Sequence, residues 1–218
     1  MTTCPELNRR LAARPILAVA VIKSAEQAAP LARALLAGGL DVMEVAFRNP
    51  HAADCIRRIR AELPAMLVGA GTILTPAQMD EARAAGAAFG LSPGFNPTTV
   101  RAAVERDFPF IPGVLSPGEM EQSLAAGCPL VKFFPAAAAG GPAFLKSIAA
   151  PYLHTPLRII PLGGINGQNL GEYLNLPLVV AVGGSWLTDF QLADAGRWDE
   201  ITDLTRQAVN AATRARRP

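Results

Sequence analysis

The segment Ser116-Pro-Gly-Glu-Met-Glu-Gln-Ser-Leu-Ala-Ala-Gly-Cys-Pro-Leu-Val-Lys-Phe-Phe-Pro135 shows the pattern that decides the fold. It begins with an N-cap residue type followed by proline, the usual start of a helix, and Gly127 stands where that helix should end. The apolar run Leu130–Phe134 then predicts a buried strand. An amphipathic helix followed by a continuous apolar strand is typical of a parallel sheet covered by helices on both faces.

The same alternation runs through the whole chain of 218 residues. Eight apolar runs predict strands: Ile16–Ile22, Asp41–Phe47, Met66–Ala70, Ala88–Leu91, Phe108–Ile111, Leu130–Phe134, Arg158–Leu162 and Leu178–Val182. Eight Ala-rich or amphipathic segments predict helices: Ala25–Ala37, Ala52–Glu62, Pro76–Ala85, Pro97–Arg106, Pro117–Ala126, Pro142–Ala149, Gly167–Leu174 and Trp198–Arg214. Thr75-Pro76 and Asn96-Pro97 repeat the helix-start signal.

Eight strand–helix units predict one α/β domain, residues 1–218, folded as a single (β/α)8 TIM barrel. An N-terminal helix within residues 1–15 is expected to cover the bottom of the barrel. An open doubly wound sheet is the alternative that the pattern leaves open.

The composition argues against several classes of partner. The formal net charge is +2, with 17% charged residues of both signs mixed along the chain. This pattern favours neither a nucleic-acid interface nor a polybasic membrane patch. No apolar run is long enough for a transmembrane helix, and the N-terminal segment lacks a signal-peptide layout. Three scattered cysteines without a CxxC pair indicate a reducing, cytoplasmic compartment.

Metal and hydrolase sites are also disfavoured. His51 and His154 are the two histidines, and neither has metal-ligand spacing with another ligand. No GxSxG motif is present for a serine hydrolase. The sequence therefore predicts no metal and no cofactor.

Lys132 is the first candidate catalytic residue. Only three of the twenty basic residues are lysine, and this one lies within an apolar strand between Val131 and Phe133. Removing an ammonium from water disfavours its charged form, and a neutral amine in a dry pocket suits Schiff-base chemistry with a carbonyl substrate. The alternative is a lysine whose stem packs while its head reaches solvent at the strand end.

Further candidates lie at the carboxyl ends of the predicted strands, where barrel enzymes build their active sites. Period two places Glu44 and Arg48 on one face of the second strand. A buried Glu44 would have a raised pKa suited to proton transfer, and Arg48 would fork onto a substrate carboxylate. A structural ion pair of Glu44 with Arg48 or Lys132 is the alternative. Thr72 would either bond a substrate oxygen or cap the following turn.

Two double glycines follow the seventh and eighth predicted strands, at Gly163-Gly164 and Gly183-Gly184. Each alone is a weak turn signal. Loops at these two places form the usual phosphate site of a barrel, because their backbone N–H groups approach an anion closely. The pair therefore predicts a phosphate subsite.

At this point the chain resembles the 2-keto-3-deoxy-6-phosphogluconate aldolase family, which also includes 4-hydroxy-2-oxoglutarate aldolase. The resemblance extends over nearly the whole chain. The segments that carry it are Ala37-Gly-Gly-Leu-Asp-Val-Met-Glu-Val45, Val68-Gly-Ala-Gly-Thr72, Ser92-Pro-Gly94, Ile111-Pro-Gly-Val114, Val131-Lys-Phe-Phe-Pro-Ala136, Leu162-Gly-Gly-Ile165 and Gly183-Gly-Ser-Trp-Leu187.

The resemblance implies a metal-free class I aldolase on a (β/α)8 barrel, usually a homotrimer. Lys132 then falls on the Schiff-base lysine and Glu44 on the general acid/base. Arg48 and Thr72 fall on positions that hold the pyruvate half of the substrate. The residues that fall on the phosphate-binding loops are Gly163, Gly164, Gly184 and Ser185.

The expected reaction is cleavage of 2-keto-3-deoxy-6-phosphogluconate to pyruvate and D-glyceraldehyde 3-phosphate. Leu162 departs from the family pattern, because gluconate-type members usually carry threonine there and galactonate-type members an apolar residue. An aldolase for 2-keto-3-deoxy-6-phosphogalactonate or for 4-hydroxy-2-oxoglutarate is therefore an alternative. A sugar-phosphate isomerase and a non-catalytic anion-binding barrel are two further alternatives.

Overall fold

The computed structural model describes residues 4–216 and has alternating strands and helices. The strands are β1 (Ile16–Ala20), β2 (Val42–Ala46), β3 (Leu67–Gly71), β4 (Gly90–Leu91), β5 (Phe110–Ile111), β6 (Gly113–Val114), β7 (Leu130–Phe133), β8 (Arg158–Pro161) and β9 (Val182–Gly184). The helices are α1 (Pro5–Ala13), α2 (Ala25–Ala37), α3 (Ala52–Glu62), α4 (Pro76–Ala84), α5 (Pro97–Glu105), α6 (Pro117–Ala125), α7 (Gly141–Ala149), α8 (Leu170–Leu174), α9 (Phe190–Asp194) and α10 (Trp198–Ala215), with a 3-10 turn at Ala150–Tyr152.

The strands are parallel and close into a barrel. Six of them pair in the order β5-β4-β3-β2-β1-β9, and three pair in the order β6-β7-β8. The two sheets meet at β5 and β6, which are separated only by Pro112. They meet again at a parallel bridge between Leu162 and Gly183. The fold prediction of a (β/α)8 barrel is confirmed.

The fifth barrel strand is split in two because of Pro112. Proline has no backbone N–H and cannot donate to a ladder. Its carbonyl oxygen still accepts a hydrogen bond from the N–H of Lys132 at 2.9 Å, so this position stays hydrogen-bonded to β7. With β5 and β6 counted as one, β8 and β9 are the seventh and eighth barrel strands.

The N-terminal helix covers the barrel as expected. Leu7 and Leu11 of α1 are buried and pack in the same cluster as Leu17, Leu91 and other inward-facing strand residues. A separate cluster lies between the strands and the outer helices. Helix α1 therefore closes the end of the barrel opposite the carboxyl ends of the strands.

The helix starts predicted from N-cap residues and proline are confirmed. The hydroxyl of Thr75 accepts the N–H of Gln78, and Ser116 and Glu119 form a capping box. Helix α8 is shorter than predicted, because the side chains of Asn166 and Asn169 bond backbone N–H groups and form a turn before it.

The eighth strand was predicted wrongly, at Leu178–Val182. The structure has it at Val182–Gly184, where it pairs with Ile16–Ala18 of β1. Of the earlier apolar run, Val179 makes only an isolated bridge with Ile159. The apolar pattern missed the strand because Gly183 and Gly184 bring no side chain to it. Helix α9 was not predicted at all.

Within residues 4–216, no helix combines the length and the hydropathy that crossing a bilayer requires.

Candidate active site

Lys132 and Glu44 both face the interior of the barrel. On β2, Met43 and Val45 pack in the outer cluster and Val42 in the inner one, so strand alternation turns Glu44 inward. On β7, Val131 and Phe133 belong to the outer cluster, which turns Lys132 inward in the same way. Side chains from two strands that are not neighbours thus meet inside the barrel.

The two groups form a buried ion pair. The Nζ of Lys132 lies 3.6 Å from Oε1 of Glu44, with the residues 5% and 1% exposed. The same Nζ lies 5.2 Å from the centre of the Phe134 ring, within the range of a cation–π contact. The amine thus has one carboxylate and one aromatic face in place of water.

Burial raises the pKa of Glu44 above its ordinary value of 4.5, and the charges of Lys132 and Arg48 oppose that shift. Oε2 of Glu44 is buried and has no hydrogen-bond partner among the described residues. A carboxyl group that holds its proton more tightly than usual, beside an amine, can act both as a proton donor and as a proton acceptor.

Glycine at position 71 makes room for this carboxyl group. A Cβ atom there would lie 2.8 Å from Cδ and from Oε1 of Glu44, closer than real contacts allow. In the register of β2 and β3, Glu44 pairs with Gly69 and Ala46 with Gly71, so Gly71 lies two residues further along β3 than the partner of Glu44. The need for glycine here was not apparent from the sequence.

Arg48 and Thr72 meet at the mouth of the barrel, where the Nε of Arg48 donates to Oγ1 of Thr72 at 3.3 Å. Thr72 has φ of 57°, a left-handed conformation that is rare for a β-branched residue. Such a conformation costs about 1–3 kcal/mol and is concentrated at functional sites. The strained backbone thus accompanies the contact between the Thr72 hydroxyl and the Arg48 guanidinium.

The two double glycines lie where no side chain fits. A Cβ on Gly164 would lie 2.5 Å from that of Ala137, and one on Gly184 would lie 2.3 Å from the ring of Trp186. Gly163 and Gly164 also have φ of 95° and 77°. Both turns therefore present bare backbone at the carboxyl ends of β8 and β9.

An open cleft of about 640 Å³ brings these elements together. Its wall contains six of the predicted site residues: Arg48, Lys132, Gly163, Gly164, Gly184 and Ser185. Glu44 lies behind Lys132, and Thr72 touches Arg48 beside the cleft. All eight predicted site residues thus lie in or directly against one site.

Several residues of the cleft were not predicted. Its remaining polar and aromatic wall includes Phe134, Asn166, Trp186, Thr188, Asp189 and Phe190. Thr188 ties the loop after β9 to β1, because its hydroxyl donates to the carbonyl of Val19. Their position after the end of a strand is the one sequence signal that could have indicated that these residues line the cleft, since none of them belongs to a motif with unusual spacing.

Leu162 also lines the cleft, and it packs directly on β9. A Cβ on Gly183 would lie 2.7 Å from Cγ of Leu162. The cleft wall between Lys132 and the glycine turns is therefore apolar at this point.

No group of three or more metal-ligating side chains occurs within residues 4–216.

The chain is similar to known aldolases in sequence and in fold. A family model described as "Aldolase: KDPG and KHG aldolase" covers residues 7–204. A 2-dehydro-3-deoxy-phosphogluconate aldolase of Treponema pallidum (strain Nichols) is 45% identical over 194 residues, covering 89% of this chain and 91% of that protein.

Two solved structures are similar in fold and sequence. The KDPG aldolase of Legionella pneumophila, with pyruvate captured at low pH as a covalent carbinolamine intermediate, has a TM-score of 0.88 and 42% identity, and the match covers 94% of this chain and 98% of that one. The aldolase of Zymomonas mobilis ZM4 with 3-phosphoglycerate has a TM-score of 0.86 and 36% identity over 94% and 96% of the two chains. This chain therefore belongs to the KDPG and KHG aldolase family.

Proposed function

We propose that Lys132 is the Schiff-base amine and Glu44 the proton shuttle of a class I aldolase. The protein cleaves 2-keto-3-deoxy-6-phosphogluconate to pyruvate and D-glyceraldehyde 3-phosphate. The observation that carries the assignment is the buried Lys132–Glu44 pair, 3.6 Å apart, at the inner end of an open cleft.

The reaction begins when Nζ of Lys132 attacks the C2 ketone of the substrate. Glu44 protonates the hydroxyl group of the resulting carbinolamine, which leaves as water and gives an iminium ion. The iminium then accepts the electron pair of the C3–C4 bond as that bond breaks, while Glu44 takes the proton of the C4 hydroxyl. Covalent catalysis thus replaces one difficult cleavage with several easier steps.

Glyceraldehyde 3-phosphate leaves, and the enamine that remains on Lys132 is protonated at C3. Water then hydrolyses the iminium, which releases pyruvate and restores the amine. A carboxyl group with a raised pKa suits this cycle, because it must hold a proton at one step and accept one at another.

The two ends of the substrate are held in different ways. Arg48 and Thr72 bind the carboxylate of the pyruvate half, because a guanidinium forks onto a carboxylate and the hydroxyl adds a further hydrogen bond. The backbone at Gly163, Gly164 and Gly184, together with Ser185, binds the phosphate. Fixing both ends orients C2 toward Lys132.

The decisive experiment is reduction with borohydride in the presence of pyruvate, followed by peptide mass analysis. We expect a pyruvyl adduct on the peptide that contains Lys132 and none on the peptide that contains Lys146. Absence of the adduct from Lys132, with intact cleavage activity, would refute the lysine assignment.

Leu162 favours a second candidate, an aldolase for the galactonate epimer or for 4-hydroxy-2-oxoglutarate. Its side chain brings no hydroxyl group to the cleft wall between Lys132 and the phosphate loops. Release of pyruvate from the two epimeric phosphates and from 4-hydroxy-2-oxoglutarate, compared as kcat/KM, decides between them. A sugar-phosphate isomerase or a non-catalytic barrel forms no borohydride-trapped adduct, so the same labelling experiment tests these two alternatives.

The family resemblance also supports a cytoplasmic homotrimer. Light scattering of the purified protein tests the trimer: a mass three times the 22.9 kDa of one chain is expected, and a monomer mass would contradict it.

A further inference from the structure

The phosphate end of the cleft has little positive charge. A phosphate monoester carries about −1.5 to −2 charges at neutral pH. Among the described residues that line the cleft, the cations are Arg48 and Lys132, and both serve the pyruvate half. The charged side chain near the glycine turns is Asp189, whose carboxylate accepts the N–H of Gln191 at 2.7 Å. The groups proposed to face the phosphate, the backbone of the glycine turns and Ser185, carry no formal positive charge.

Lys23 lies one aromatic ring away from this end of the cleft. It follows β1, and β1 pairs with β9, the strand that leads into Ser185. Its Nζ stands 4.8 Å from the centre of the Phe190 ring, and Phe190 is part of the cleft wall. A small depression lined by Lys23 shares Val21, Thr188 and Phe190 with the cleft.

The ammonium of Lys23 forms an exposed ion pair, which a stronger anion can replace. It forms an ion pair with Asp194 of α9, and the two side chains are 55% and 40% exposed. Gln27 donates to the other carboxylate oxygen of Asp194 at 3.0 Å, so this carboxylate keeps a hydrogen bond when the ammonium leaves. Exposed ion pairs contribute little to stability, and the lysine stem is flexible.

We propose that Lys23 is a specificity-determining residue that moves its ion pair from Asp194 to the phosphate of the substrate. It thereby selects phosphorylated 2-keto-3-deoxy acids over unphosphorylated ones. This inference rests on the proposed function, because the phosphate subsite is part of it. A dianionic phosphate attracts the ammonium more strongly than a single, solvent-exposed carboxylate does.

The test compares Lys23→Gln, Asp194→Asn and the control Lys146→Gln, which removes a lysine from α7 outside the cleft. The measurement is kcat/KM for 2-keto-3-deoxygluconate with and without its phosphate. We expect Lys23→Gln to lower kcat/KM about threefold to tenfold for the phosphorylated substrate, through KM, and to leave the unphosphorylated substrate unchanged. Lys146→Gln should change neither.

Asp194→Asn separates electrostatics from structure. If the Lys23–Asp194 pair only holds α9 in place, both variants should raise KM for the phosphorylated substrate. If Lys23 serves the phosphate, Asp194→Asn frees the ammonium and should lower KM for that substrate. Effects of the same sign in the two variants, or equal effects of Lys23→Gln on both substrates, would overturn the proposal.

A binding measurement separates this proposal from the aldolase assignment. Inorganic phosphate should raise the Tm of the wild-type protein, and Lys23→Gln should reduce that rise. If the wild type releases no pyruvate but the phosphate effect still depends on Lys23, the proposed function fails, and only the contact between Lys23 and a phosphate stands. If the wild type is an active aldolase and neither its KM nor its phosphate effect depends on Lys23, the proposed function stands and the role of Lys23 is refuted.

Discussion

The two ends of the cleft differ in the chemical groups that line them. At the proposed pyruvate end, the charged side chains of Lys132 and Glu44 lie inside the barrel, and the uncharged Thr72 has a strained backbone. At the phosphate end, glycine turns present backbone, and the side chains around them are mostly apolar or aromatic. Bond cleavage needs groups that form bonds and move protons, whereas anchoring a phosphate needs only oriented dipoles and nearby positive charge.

This difference predicts that a change at the pyruvate end lowers kcat and a change at the phosphate end raises KM. The largest effect is expected for Lys132→Met, which keeps the length of the side chain and removes the nucleophile. Cleavage should fall by about four orders of magnitude or more, because Lys132 is the only lysine among the described residues that line the cleft. The assay is pyruvate release, with Lys146→Met as the control that should keep wild-type activity.

Glu44→Gln should have the next largest effect. The amide has nearly the same shape but cannot exchange a proton, so kcat should fall by about 100- to 10,000-fold while KM changes little. Single-turnover measurement of adduct formation and of product release identifies the steps that slow. An unchanged kcat would remove the proton-shuttle role and leave Glu44 as a structural partner of Lys132.

Gly71→Ala tests how closely the carboxyl group must be positioned. The added methyl group would lie 2.8 Å from Cδ and Oε1 of Glu44, so the carboxylate must move. A displacement of about 1 Å can cost about 100-fold in rate, and we expect a kcat loss of that order. The matched control is Gly118→Ala, because a Cβ there meets nothing within 4 Å. Equal activity of the two variants would contradict the tight contact.

Gly184→Ala applies the same test to the phosphate end. Its methyl group would lie 2.3 Å from the ring of Trp186 and 3.2 Å from the carbonyl oxygen of Ile165, so the turn must shift. We expect KM for the phosphorylated substrate to rise about tenfold, with little change in the borohydride-trapped adduct from pyruvate. Loss of the pyruvate adduct would show that the two ends are not independent.

The sequence predicted the parts of the molecule that depend on local periodicity. Alternating apolar strands and capped helices predicted the barrel, and period two along Glu44-Val-Ala-Phe-Arg48 placed Glu44 and Arg48 on one face of the strand. The structure shows that Glu44 faces inward. The sequence did not predict contacts between segments distant in the chain. The closeness of Gly71 to Glu44 depends on the register of β2 and β3, and the left-handed φ of Thr72 has no sequence signal.

The missed strand β9 has the same explanation. Apolar periodicity measures side-chain burial, and Gly183 and Gly184 bury backbone without side chains, so the pattern ended at Val182. The sequence did not indicate a role for Phe190 or Lys23, because α9 is short and surface-exposed residues follow no apolar periodicity. Local physics thus specified the scaffold and the strands that carry Lys132 and Glu44, whereas the cleft wall around the glycine turns depends on segments that are distant in the chain.

The last and smallest effect is on stability rather than on rate. Lys132 lowers the pKa of Glu44 against the larger effect of burial, so Lys132→Met should raise that pKa further. An acid whose pKa is higher in the folded state contributes stability that is fully present below its ordinary value, 4.5, and is lost as the pH rises through the folded value. The free energy of unfolding of Lys132→Met should therefore fall as the pH rises above 4.5, by about 1.4 kcal/mol for each unit by which the pKa is raised. The double variant Lys132→Met/Glu44→Gln has no titrating group at this place and should lack that fall. Urea unfolding of both proteins across the pH range measures the difference, and a difference that stays constant with pH would mean that Glu44 is not held in a dry environment.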